Sequence, residues 1–91
     1  MEILNKVTAA VHKNGSFVYS QLWAMGRTAS PDVLAEDGFD QVSASNIPLS
    51  GMKDHLPRPL TIEEIKEYSR LYAQAAENAI KAGFDGIEIH G

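Results

Sequence analysis

Ser16-Phe17-Val18-Tyr19-Ser20-Gln21-Leu22-Trp23-Ala24-Met25-Gly26-Arg27 decides how the rest of the chain is read. Its apolar, β-branched and aromatic residues fit a buried strand over residues 16–23. Side-chain alternation places Tyr19, Gln21 and Trp23 on one face and Val18, Ser20 and Leu22 on the other. A polar Gln21 and a large Trp23 therefore stand at the carboxyl end of the strand, the end at which α/β folds bind ligands.

On the amino-terminal side, Ile3, Leu4, Val7 and Val11 recur at helical spacing. His12 and Lys13 form a cationic last turn, and Asn14-Gly15 supply the C-cap, so a helix is expected over residues 2–13. No Ser, Thr, Asp or Asn precedes its periodic residues, which suggests a shortened amino end. On the carboxyl side, residues 24–60 carry Gly26, Pro31, Gly38, Pro48, Gly51, Pro57 and Pro59, which forbid long regular elements. A connection of this length is either an active-site lid or a stretch whose elements the pattern misassigns; within it, residues 40–45 are expected to form a short hairpin arm.

The clearest local signal follows. Thr61 and Glu64 make a capping box, and Leu60 and Ile65 are placed as its hydrophobic staple. Ile62, Ile65, Tyr72, Ala76 and Ile80 form an apolar stripe, and Lys81 and Gly83 end the helix. Residues 86–90, Gly-Ile-Glu-Ile-His, then read as a second strand, with Ile87 and Ile89 on one face and Glu88 and His90 on the other.

The order α-β-long loop-α-β is that of a parallel sheet with helical crossovers. Right-handed crossover brings both carboxyl strand ends to one edge. If Val18, Leu22, Ile87 and Ile89 face the helix, then Gln21, Trp23, Glu88 and His90 turn to the opposite side and line one pocket. Two strands leave unpaired edges, and Gly91 follows a chemically capable histidine by one residue. The expectation is a fragment, a quarter to a third of a (β/α)₈ barrel of about 250 residues, unable to close alone.

Composition narrows the function. The 91 residues hold 8 Lys+Arg against 12 Asp+Glu, a net charge of −4 with no basic run, which argues against nucleic acid and anionic membrane as partners. The hydrophobic share of 44% is that of an ordinary globular chain. No cysteine is present, so thiolate chemistry is excluded. No apolar run approaches the roughly 20 residues of a membrane span, and residues 1–11 lack a signal-peptide core. The expected location is the cytoplasm. His12 and His55 have no ligand-spaced companions, so no metal site is read.

Three blocks carry a family resemblance: Gln21-Leu22-Trp23-Ala24-Met25-Gly26-Arg27, Leu60-Thr61-Ile62-Glu63-Glu64-Ile65, and Gly83-Phe84-Asp85-Gly86-Ile87-Glu88-Ile89-His90-Gly91. In order and spacing they resemble the old yellow enzyme family, the FMN-dependent ene-reductases or NADPH dehydrogenases, across essentially the whole chain. The resemblance implies that residues 1–91 run from helix 2 to strand 4 of the barrel, residues 16–23 being the third strand and residues 86–90 the fourth. It implies FMN as cofactor, NADPH as reductant and an activated alkene as small-molecule substrate.

By the same resemblance Gln21 contacts the pyrimidine edge of the flavin and Trp23 shapes the substrate pocket. His90 binds the substrate oxygen as the catalytic hydrogen-bond donor. Without the resemblance, Gln21 is a polar strand end, Trp23 a packing residue and His90 a solvated terminus. Glu88 reads either as a general acid or base or as a buried barrel carboxylate with its cationic partner elsewhere. Arg27 matches a recurrent family arginine to which no chemical role attaches. The family's second oxygen-binding residue and its tyrosine proton donor fall three and five positions after His90. Standalone activity is therefore not expected: the alternative is a non-catalytic remnant, or a piece that docks with a complementary barrel fragment or a second copy.

Overall fold

The computed structural model describes residues 2–91. Helix α1 spans Glu2–Lys13, strand β1 Tyr19–Leu22, helix α2 Pro31–Glu36, strand β2 Val42–Ser43, strand β3 Arg58–Pro59, helix α3 Ile62–Lys81 and strand β4 Gly86–Ile89. The residues fall into two compact units: one built from the chain up to Trp23 together with Glu67–Gly91, the other from Ala24–Lys66.

The first unit follows the sequence pattern. Strands β1 and β4 pair in parallel, with Tyr19 opposite Gly86, Ser20 opposite Ile87, Gln21 opposite Glu88 and Leu22 opposite Ile89. Both strands are shorter than the sequence suggests. Residues 16–18, Trp23 and His90 lie outside the regular spans, although His90 N–H still donates to the Leu22 carbonyl at 2.9 Å. Gly86 has a packing reason: a Cβ there would meet the Tyr19 ring at 2.8 Å.

The predicted apolar stripes are present but are not the buried surfaces. Ile3, Ile62 and Ile80 are 77%, 72% and 56% exposed, whereas Thr8, Ala79 and Ala82 are buried. Small side chains let α1 approach the Ala82-Gly83 turn that follows α3, and the Thr8 hydroxyl donates to the Ala82 carbonyl at 2.7 Å. This bond fills an acceptor that the last turn of a helix leaves open. Gly83 ends the helix at φ +95°, and a Cβ there would stand 2.5 Å from Thr8 Oγ1. Behind the strands, Val18, Leu22 and Ile87 are half-buried as expected of the helix-facing side, but Ile89 is exposed.

Asp85 ties this unit together at the start of β4. Its carboxylate accepts from His12 Nε2 at 2.8 Å and from the Val18 backbone N–H at 2.9 Å, while its own N–H donates to the Val18 carbonyl at 2.9 Å. The His12 bond, followed by the Val18 bond, holds the Asp85 carboxyl below its ordinary value.

The second unit holds more order than its punctuation suggests. A 3₁₀ turn occupies Gly26–Thr28. Helix α2 begins on a Ser30 cap with Pro31 in the first turn, a signal that was readable in Ser30-Pro31. The expected hairpin arm at residues 40–45 is absent: Val42 and Ser43 pair in parallel with Arg58 and Pro59. The pairing is non-local because the partner lies across a proline- and glycine-bearing loop, and two-residue strands carry no periodicity to read.

Gln41 is the buried anchor of this unit. Its side-chain nitrogen donates to the Arg27 carbonyl at 2.9 Å and the Ala29 carbonyl at 2.7 Å. The Arg27 guanidinium donates to the Pro48 carbonyl at 3.3 Å, a loop-holding role for the arginine left without one by sequence. The capping box forms as expected: Glu64 N–H donates to Thr61 Oγ1 at 3.1 Å and Thr61 N–H to Glu64 Oε1 at 3.0 Å. Glu64 also takes a bidentate pair from Arg58, at 2.7 and 2.8 Å, and Arg58 reaches Asp40 at 3.2 Å. The Arg58 hydrogen bond, then Thr61, lowers the Glu64 carboxyl to about 2, and the same pairing raises the Arg58 guanidinium.

Candidate functional site

Parallel pairing fixes which side chains meet at the carboxyl edge of β1 and β4. Directly opposed residues in a sheet project to the same face, so the Gln21–Glu88 register places both on one side. The two are hydrogen-bonded, Gln21 Nε2 donating to Glu88 Oε1. One step further along each strand direction on that face, the Trp23 and His90 rings stack with centroids 4.9 Å apart and planes tilted by 31°. All four residues predicted to share a face are thus brought together as two touching pairs.

Within the described residues Glu88 is exposed and hydrogen-bonds the Gln21 amide. The signal was present: Gln21 precedes Trp23 by two positions, as Glu88 precedes His90. Matching those offsets in a parallel register predicts the contact.

The arrangement has definite chemical capability. A carboxylate only accepts, so the nitrogen of the Gln21 amide must face Glu88, which leaves the amide oxygen directed elsewhere. The exposed His90 imidazole offers ring nitrogens for donation or acceptance, and its Nδ1 lies 3.1 Å from the Gly91 carbonyl oxygen. Trp23, 51% exposed, supplies an apolar wall beside it. An amide with both donor and acceptor, next to an aromatic wall and an imidazole, suits a planar heterocycle with alternating carbonyl and N–H groups and a substrate carrying a polarisable oxygen. The residues present therefore fit a flavin edge.

In the second unit, Pro31, Ala35, Phe39, Asp40, Gln41, His55, Leu56 and Arg58 line a cavity of about 290 Å³. Its charged groups are spent on structure, since Arg58 is held by Asp40 and Glu64. Among the described residues no group of three His, Asp or Glu side chains is placed to hold a metal ion, and no helix is long and apolar enough to cross a membrane.

Comparison with known proteins gives the class. The profile of the NADH:flavin oxidoreductase / NADH oxidase family matches residues 1–91, and the chain belongs to that family. The family is one of FMN-dependent oxidoreductases that use NADH or NADPH. The chain is 52% identical over 86 residues to the NADP-dependent oxidoreductase lnbE of Aspergillus flavus, covering 94% of this chain and 22% of that protein. It is 46% identical over 93 residues to the flavin oxidoreductase hxnT of Emericella nidulans, covering 94% and 24%. Among solved structures, the Old Yellow Enzyme from Pichia sp. AKU4542 superposes with a TM-score of 0.85 at 35% identity, covering 98% of this chain and 25% of that one. Morphinone reductase superposes at 0.84 and 32% identity, covering 96% and 27%.

The chain thus spans about a quarter of the length of the relatives it matches. Those structural neighbours are (β/α)₈ barrels, and the resemblance read from the three sequence blocks agrees with them. Within the described residues the α/β architecture forms two two-stranded sheets and no closed barrel.

Proposed function

We propose that residues 1–91 supply one wall, helix 2 to strand 4, of the flavin and substrate site of an FMN-dependent NADPH oxidoreductase that reduces activated alkenes such as enones and nitroalkenes. The observation that carries this reading is the joint placement of Gln21, Trp23 and His90 on one face of a parallel strand pair in a chain of this family. FMN, when bound, supplies the carrier that accepts hydride from the nicotinamide and passes it to the β-carbon of the alkene.

The chain's own residues act around that transfer. Gln21 pairs with the pyrimidine edge, its amide both accepting and donating. His90 donates a hydrogen bond to the substrate carbonyl or nitro oxygen and stabilises the negative charge that grows there as hydride arrives. Trp23 packs against the imidazole, limits its rotation and excludes water from one side of the substrate. The proton for the α-carbon and the remaining flavin contacts come from groups outside these residues, in a complementary barrel segment or a second copy. The reading places the protein in the cytoplasm.

A second reading is non-catalytic. It is favoured by the similarity, at 48% identity over 87 residues, to a protein of Epichloe festucae var. lolii named as a probable inactive reductase, easA. One experiment separates the two. Purified 91-residue chain is mixed with FMN and NADPH, and flavin absorbance is recorded alongside reduction of a cyclohexenone. The remaining barrel segment of a relative is supplied with the chain: flavin bleaching coupled to alkene loss, abolished in His90→Ala, supports the enzymatic reading, whereas a completed barrel that stays colourless and inert, or that is indifferent to His90→Ala, overturns it.

A further inference from the structure

We propose that Glu88 is a positioning residue that fixes which end of the Gln21 amide is presented to the ligand, a role that rests on the flavin reading above. A primary amide has nearly the same shape after a half-turn that exchanges its oxygen and nitrogen, so packing alone selects the orientation weakly. Here the selection is chemical. Glu88 stands opposite Gln21 in the strand register, both side chains lie on the same face, and the amide nitrogen donates to the carboxylate. An ionised carboxylate has no proton to give, so the reversed amide would set oxygen against oxygen and lose the bond.

With one N–H engaged by Glu88, the amide keeps its oxygen as an acceptor and its second N–H as a donor. That pair matches an imide edge, where an N–H sits beside a carbonyl, in one register only. An inverted amide pairs with the same edge in a different register. Glu88 thereby sets the register in which an imide heterocycle is held at the end of β1, without touching it. The ligand class is any planar ring with an acceptor–donor–acceptor edge, of which the flavin pyrimidine is one.

The test uses Glu88→Gln, which keeps length and volume but allows a hydrogen bond in either amide orientation. The Gln21 side-chain NH₂ is observed by ¹⁵N NMR in the wild-type chain, and FMN affinity is measured by flavin fluorescence quenching. In the wild type, one Gln21 amide proton is shifted downfield and moves as a carboxyl group is titrated with acid; in Glu88→Gln that proton no longer follows a titration. FMN affinity falls about twofold in the variant, the factor lost when only about half of the molecules present the competent amide orientation, while far-UV circular dichroism and the unfolding midpoint stay the same.

A variant whose unfolding midpoint drops while FMN affinity is unchanged shows a merely structural pair and overturns the proposal. So does a wild-type Gln21 resonance indifferent to acid. A wild type that fails to quench FMN even when the remaining barrel segment of a relative is supplied alongside it, although its Gln21 resonance follows the carboxyl, defeats the flavin reading itself and removes this role with it. That result is distinct from quenching that is equal in wild type and variant, which defeats the positioning role alone.

Discussion

The two units of the chain are held by different kinds of contact. In the unit that holds β1 and β4, repetition carries the structure: a four-residue parallel register, two helices with period-3.6 patterning, and close approach at Thr8, Ala79, Ala82 and Gly83. In the segment Ala24–Lys66, single polar side chains carry it, above all Gln41 on two carbonyls and Arg58 on two carboxylates. The difference teaches where each is vulnerable. A periodic element shares its stability among many positions and fails at points of closest packing, whereas a polar-anchored loop fails when its one anchor is removed.

The largest effect is expected at Gly83. Alanine there must adopt φ near +95° and place its Cβ against Thr8 Oγ1, so Gly83→Ala should destabilise by about 2–4 kcal/mol through strain and overpacking. Urea unfolding followed by circular dichroism measures it. A loss below 1 kcal/mol would mean that the contact of Thr8 with the Ala82-Gly83 turn is not the weak point of its unit.

Next comes Gln41→Leu, which keeps the side chain's bulk and removes both hydrogen bonds. The stranded Arg27 and Ala29 carbonyls should cost about 1–3 kcal/mol. Amide hydrogen exchange should accelerate through residues 24–60 and stay unchanged in β1 and β4. Equal acceleration in both regions would erase the contrast between the two units.

Acid should act more gently, through Glu64. Its folded value, lowered from 4.5 to about 2, means that the unfolded chain takes up the proton first as pH falls. The stabilisation is therefore fully present above the ordinary carboxylate range and is lost as pH drops from about 4.5 through about 2. Glu64→Gln keeps a residue able to cap α3 but gives up the ion pair with Arg58. The thermal midpoint of this variant should fall less steeply over that window than that of the wild type, with helix content at neutral pH retained. The lowered Asp85 carboxyl works in the same direction and leaves a residual slope. The smallest effect belongs to Lys66→Ala, whose 3.6 Å pair with Glu63 is solvent-exposed and should leave the unfolding midpoint where it is.

The sequence was most informative where physics is local or periodic. Thr61 and Glu64 announce their capping box because its partners lie three residues apart, and the α-β-loop-α-β order follows from hydrophobic spacing. The shared face of Gln21, Trp23, Glu88 and His90 followed from alternation and handedness. Three features were lost for identifiable reasons. Gln41 looks like any loop glutamine, because its acceptors lie 12 and 14 positions back and are backbone atoms without a sequence signature. Helix α2 was announced by Ser30-Pro31 but is only six residues long, too short for its period to stand out among glycines and prolines. The Gln21–Glu88 bond has no local sequence signature either, because neither side chain names its partner until the strand register is fixed.

The register between β1 and β4 joins residues 67 positions apart. Closing so long a loop costs an entropy that grows only with the logarithm of its length, so doubling the intervening segment adds about 0.6 kcal/mol. Insertions within the Pro- and Gly-bearing stretch, at points away from Gln41 and Arg58, are therefore cheap for the ladder. The length of that stretch can change while the alignment of Gln21 with Glu88 and of Trp23 with His90 stays as it is.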